Sequence, residues 1–340
     1  MLNQFTRIVF LGALLCCPML ALAQAEEEEA IAVKSGTVQR RTRVRSRPSS
    51  RRRVISVLRP ESKVRILSPE TRRGFYRVIL EKGRQGYVRA SDVRLDEPLF
   101  KMDEVNSILA ARTSPPCAES LGDCEDTGCA NLTSSHASFN QAKRRIPTGA
   151  SPRLLTFADF RSLQDNADEV VDQGSQLEER SSLRSFKVSS GTVDEGSLVK
   201  IAGFIASGLD PHANSGESVN CRLRGVENND IHISLAARPA HTEFQGIVVE
   251  MVPQDRPAGW TIAKLRKAKQ DRRFVMVIGG LFYDNLHVVN SNPADPLRGE
   301  PKRFSLWEVH PITRFFVCER ARNACSPNNL NHWTTLEDFQ

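Results

Sequence analysis

Short runs of alternating apolar and polar residues dominate two stretches of the chain. The first lies between residues 36 and 95. Alternation there predicts strands over Thr42–Ser46, Val54–Leu58, Lys63–Leu67, Phe75–Leu80 and Gln85–Arg89, with turns at Pro60-Glu61 and Lys82-Gly83. Closely spaced short strands predict a small barrel or sandwich. The second stretch predicts strands over Leu198–Ile205, Ser218–Leu223, Asp230–Ala236, Gly246–Val252, Phe274–Tyr283 and Arg303–Val317, with a helix at Trp260–Lys269. Thr156-Phe157-Ala158-Asp159 carries the capping-box pattern, and Phe157, Phe160 and Leu163 fall on one face of the helix it opens. The expected class is mainly β, with a small barrel followed by a larger β-barrel domain and minor helices.

Between these stretches the periodicity fails. Residues 96–116 read as a linker with a short helix at Met102–Ala111, and 117–149 as irregular chain. The resulting division is 1–25, 31–95, the linker, a β domain over 117–325, and a tail at 326–340. Residues 1–25 have the layout of a secretory signal: Arg7, an apolar run from Ile8 to Leu22, and small residues that place cleavage near Ala23 or Ala25. This predicts a periplasmic or secreted protein. An oxidising compartment then favours disulfides among Cys117, Cys124, Cys129, Cys221, Cys318 and Cys325, in any of 15 pairings. Zinc on the Cys117–Cys129 cluster is a weaker reading, because no close CxxC pair is present. Beyond the N-terminus, no apolar run is long enough to span a bilayer as a helix.

Charge sharpens the division. Residues 31–95 hold 19 Lys and Arg against 4 Asp and Glu, whereas residues 96–340 hold 27 against 32. The densest part runs from Arg40 to Arg53 and includes Arg40, Arg41, Arg43, Arg45, Arg51, Arg52 and Arg53. Such a cluster attracts phosphates and carboxylates. For an exported protein the expected partner is peptidoglycan or another anionic envelope polymer, with nucleic acid second. The plainer alternative is a solvated basic face.

The first stretch resembles the bacterial SH3 domains. The resemblance rests on VRSRPS (Val44–Ser49), VISVLRPESKVRIL (Val54–Leu67), GFYRVIL (Gly74–Leu80) and GRQGYVRASDV (Gly83–Val93). Phe75 and Tyr87 stand where that family often has tryptophan, and Pro60-Glu61 where it often has glycine. The likeness implies a small barrel that binds and does not catalyse, often to cell-wall peptides. The second stretch, with about five strands and a helix before the last ones, is similar to an oligomer-binding (OB) barrel, and Glu195–Gly203 resembles its first strand. LFYDNLH (Leu281–His287) and SLWEVHPI (Ser305–Ile312) resemble segments of an uncharacterised family of exported bacterial domains. That likeness implies a shared fold and no activity.

Acids and histidines recur in the second stretch at Asp230, His232, Glu250, Asp284, His287, Glu308 and His310. Residues two apart on a strand share a face, so Asp230 pairs with His232 and Glu308 with His310, leaving Ile231, Ile233, Trp307 and Val309 to the core. Carboxylates and imidazoles converging from several strands could hold a divalent metal, which activates water for hydrolysis. The competing reading is a structural set of hydrogen-bonded polar groups. P-loop, GxSxG and HExxH motifs are absent. The sequence therefore favours a binding protein, with a metal-dependent hydrolase or a nucleic-acid or oligosaccharide binder as alternatives.

Overall fold

A computed structural model describes residues 34–67, 71–80, 83–96, 115–149, 151–177, 179–210 and 215–340. The secretory signal expected over residues 1–25 and the helix expected at Met102–Ala111 both fall outside these residues. The chain is mainly β, as expected.

The first module has seven strands: β1 (Lys34–Val38), β2 (Thr42–Arg45), β3 (Val54–Leu58), β4 (Lys63–Ile66), β5 (Phe75–Ile79), β6 (Gln85–Arg89) and β7 (Val93–Leu95). They hydrogen-bond in the order β3-β2-β6-β5-β4-β1-β7. The five strands expected from alternation are present within a residue at each end. The sequence pattern missed β1 and β7, whose stretches are too short and too polar to alternate visibly. β1 exists because β4 and β7 flank it, in registers that pair Gly36 with Val64 and with Leu95. A Cβ on Gly36 would lie 2.6 Å from Val93 Cγ1, so glycine permits this close strand packing. The core is almost entirely β-branched: Val38, Val44, Val64, Ile66, Val78, Val88 and Val93, the side chains that fit a pleated surface best.

The second module begins with α1 (Ser135–Arg144), β8 (Arg153–Leu154) and α2 (Phe157–Ala167). It continues through β9 (Phe186–Val188), β10 (Gly191–Val193), β11 (Leu198–Asp210), β12 (Ile231–Ala236), β13 (Gly246–Met251), α3 (Ile262–Gln270), β14 (Phe274–Tyr283), β15 (Trp307–Cys318) and β16 (Trp333–Thr335). Five strands close a barrel in the order β11-β12-β13-β15-β14 and back to β11. β13 and β15 run parallel, the other barrel pairs antiparallel, and α3 connects β13 to β14. Ile231, Ile233, Val249, Val277, Trp307 and Val309 fill the interior, as the two-residue period requires. The capping box of α2 forms as expected, and Phe160 and Leu163 are buried on the face that packs into this core.

Three expectations fail here. Ser218–Leu223 is a single 3-10 turn at Ser218–Asn220 followed by left-handed residues Cys221 (φ 53°) and Arg222 (φ 58°), a backbone no strand can contain. The 117–149 stretch, expected to be irregular, contains α1, capped by Ser134. Its Ser and Asn residues conceal an inner face of Phe139, Asn140, Ala142 and Lys143. Residues 326–340 are not a loose tail. β16 pairs with β15, and Leu336 and Phe339 enter the main core.

Three disulfides form: Cys117–Cys129, Cys124–Cys221 and Cys318–Cys325. They use all six cysteines after residue 25, so the cysteine cluster is bridged and is not a thiolate zinc site. No helix among the described residues is long and apolar enough to cross a membrane.

The two modules pack together. Leu67 and Ile79 of the first join Val288 and Leu297 of the second in a small apolar cluster. Around it, Asp295 accepts from Arg72 and from the Tyr87 hydroxyl, Arg77 donates to the Asp295 carbonyl at 2.7 Å, and Gln85 donates to the Val289 carbonyl at 2.9 Å. Burial, reinforced by the bond to Asp295, pushes the Tyr87 hydroxyl up to about 12.

Candidate functional site

Two regions collect the residues singled out in the sequence. The first is a groove of about 740 Å³ on the outer side of the small module. Thr42 and Val44 of β2 point inward and are buried, so Arg41, Arg43 and Arg45 line the outside, joined by Arg40 and by Arg89 of β6. Val57 of β3, opposite Arg43 in register, adds an exposed apolar edge. Asp92 closes one end. It accepts from Arg40 Nε and Thr42 Oγ1, both at 2.6 Å. Burial opposes ionisation of Asp92, but these bonds and the Arg40 charge outweigh it and lower its pKa. Arg45 is anchored by donating to the Arg52 carbonyl at 2.7 Å. Arg41 and Arg43 form no ion pair among the described residues. Arg51, Arg52 and Arg53 sit on the exposed β2–β3 turn and do not line the groove. Arg89 was missed because it is far from the cluster in sequence; the β2–β6 pairing, Arg45 opposite Tyr87, brings it alongside.

The second region is the outer face of the large barrel, where all seven candidate acids and histidines are buried. His232 of β12 lies opposite Glu250 of β13, and Glu308 and His310 alternate along β15 beside β13. The face is polar, but α1 and the disulfide-tied segment cover it, so its groups are buried and only His232 keeps a small exposed edge. His310 is the hub. Its Nε2 lies 3.0 Å from Glu250 Oε2 and 3.3 Å from Asp230 Oδ2, and its Nδ1 lies 2.7 Å from the Lys143 carbonyl oxygen. All three partners are acceptors, so the ring serves as an imidazolium donating from both nitrogens. Burial alone would lower the His310 pKa, but the bonds to Asp230 and Glu250 raise it to about 10. Lys143 Nζ adds a second cation, 3.3 Å from Glu217 and 3.9 Å from Glu250. Burial would push the Glu250 carboxyl up; Lys143, His232 and His310 together hold it well below the usual carboxylate range.

Asp284, His287 and Glu308 join a neighbouring network around the fully buried Arg303. That guanidinium donates to Asp284 Oδ2 at 2.6 Å and to Glu308. His287 Nδ1 lies 3.1 Å from Glu300, and its Nε2 3.7 Å from Asp284. Burial pushes the Glu308 carboxyl up to about 8 against the pull of Arg303, with Glu250 and Asp284 adding to the rise.

The structure thus brings the seven residues together as two linked ion networks. Sequence reasoning missed Lys143, Glu217, Glu300 and Arg303. The available signal was one of balance, since acids at apolar-flanked strand positions require buried counter-charges. Which cations would supply them had no signature in the chain. Asp230, Glu250 and His310 do offer three ligand atoms within 4.8 Å of one another. A cation entering there must displace the His310 proton and compete with the Lys143 ammonium.

No family model matches the chain, and no curated protein does.

Proposed function

We propose that the chain is an exported cell-envelope binding protein. In this reading its SH3-like first module attaches to peptidoglycan or another anionic envelope polymer, and an OB-like second module is stapled by disulfides. The arginine groove carries the reading. Among the described residues Arg41 and Arg43 have no ion-pair partner, and they lie beside an Arg45 held by the Arg52 carbonyl in a groove that Asp92 closes at one end. Guanidiniums of this kind recognise phosphate and carboxylate bidentately. The barrel's 1-2-3-5-4 strand order, with a helix between its third and fourth strands, supports the OB-like assignment. The disulfides and the signal-like start support export.

The test is co-sedimentation of the full chain with purified peptidoglycan sacculi, with and without their anionic polymers, over a salt series. Retention that falls as salt rises, and that Arg41→Gln/Arg43→Gln abolishes, is the expected result. Retention indifferent to both would refute the groove as the attachment site.

A metal-dependent hydrolase is the second reading, favoured by the convergence of Asp230, Glu250 and His310. It requires a water-filled approach to a face that α1 now covers. Stoichiometric zinc or manganese bound by the full chain, and lost in His310→Gln, would make it the leading one.

A further inference from the structure

The groove also constrains the repeat of the polymer, an inference that rests on the polyanion reading above. Arg43 and Arg45 are alternate residues of β2 and share its outer face, and Arg41, exposed and lining the same groove, lies two residues ahead of Arg43 just before the strand. In extended chain such positions repeat every ~6.8 Å, which is the step of this row. That step is two peptide residues, or six backbone bonds in extended chain. A phosphodiester polymer with three-carbon bridges also has six bonds from one phosphorus to the next (P–O–C–C–C–O–P). Drawn out along β2, its charges keep pace with the arginines. Inorganic polyphosphate, with two bonds per charge, crowds them, and longer diol bridges overshoot.

Two further observations match an alternating ligand. Val57 sits opposite Arg43 with 45% of its surface exposed, which provides apolar contact for the carbon bridges between phosphates. Asp92 already neutralises Arg40, and its carboxylate repels a further anion, which limits the row to the following arginines.

We propose that the groove binds a linear phosphodiester polymer with three backbone carbons between phosphates, laid along β2 with successive phosphates on Arg41, Arg43 and Arg45. Poly(glycerol phosphate) has three backbone carbons between phosphates, and so does single-stranded nucleic acid.

The test measures fluorescence anisotropy of the full chain with labelled oligomers of equal charge number, at one ionic strength. The probes are poly(propanediol phosphate), poly(hexanediol phosphate) and inorganic polyphosphate. The expected order places the propanediol oligomer tightest by about tenfold, since one misplaced bidentate contact costs on that order. Arg43→Gln should erase this preference and leave weak binding. Equal affinity for all three, still abolished by Arg41→Gln/Arg43→Gln, would overturn the spacing inference and leave the polyanion reading intact. Binding to none of them, or binding unaffected by the double substitution, would overturn both. Poly(glycerol phosphate) and oligothymidylate then separate the two sources. Either one matching the propanediol oligomer supports the shared chemistry, and both failing to do so overturns it.

Discussion

His310→Gln removes the hub of the buried network while keeping a hydrogen-bonding side chain of similar reach. The wild-type imidazolium sits 3.0 Å from Glu250 and 3.3 Å from Asp230. Removing one partner of a buried ion pair costs about 3–5 kcal/mol. Linkage gives the same order: a histidine whose pKa rises from 6.5 to about 10 on folding contributes roughly 5 kcal/mol. Because the folded pKa is raised, that contribution is fully present below pH 6.5 and is lost as pH rises to about 10. Glu308, raised from 4.5 to about 8, also makes stability fall with pH, but its effect is complete by about pH 8. Above about pH 8 the decline is therefore set mainly by His310, with Tyr87 adding only as pH nears its unfolded value of 10. The assay is urea unfolding followed by tryptophan fluorescence at intervals from pH 6 to 10, with and without chelator. Wild type should lose stability steadily above pH 8. His310→Gln should be less stable at pH 7 by about 3–5 kcal/mol and nearly flat from pH 8 to 10. Parallel profiles for the two proteins would refute the imidazolium assignment, and a wild-type transition lowered by chelator would transfer the site to the metal reading.

Lys143→Met leaves Glu217 and Glu250 facing each other without their ammonium and should destabilise the fold by roughly 3–5 kcal/mol by the same logic; urea unfolding measures it, and a neutral result would mean Lys143 is not their counter-charge. Cys124→Ala/Cys221→Ala opens a crosslink spanning 97 residues and should cost about 2–5 kcal/mol, with faster proteolysis of the α1 segment that covers the polar face. Gly86→Ala would set a methyl 2.5 Å from Val44 Cγ1 and 2.7 Å from Ile55 Cδ1, an overpacking cost of about 1–3 kcal/mol visible as a lower melting temperature of the first module. Asp295→Asn should bring the Tyr87 pKa down from about 12 and loosen the modules, as read by ultraviolet titration and small-angle scattering; an unchanged tyrosine titration would show that burial alone sets its value.

How much was legible follows from the range of each interaction. Alternation is local, so the chain by itself determined β2 to β6, the α2 cap, the five barrel strands and α3. It also determined the side each residue takes, because the period of two puts Trp307 and Val309 inward and Glu308 and His310 outward without reference to any partner. β1 and β7 were illegible because their stability comes from the strands they pair with, and α1 because a half-buried helix with a polar sequence has a weak pattern of its own. The tertiary structure decided whether the outward acids and histidines meet water. An outer barrel face is normally solvated, and nothing near Glu250 or His310 in sequence announces that Lys143 will descend on it from more than a hundred residues away. Burial then converts a set of ordinary titratable groups into paired networks in which Lys143, Arg303 and His310 sit against the carboxylates, because unpaired charges cannot remain in a dry interior. The arginine groove shows the complementary case. Its row on β2 was set by strand periodicity alone, whereas the unneutralised state of Arg41 and Arg43, the Val57 edge and the arrival of Arg89 were set by strand pairing, which no local pattern encodes.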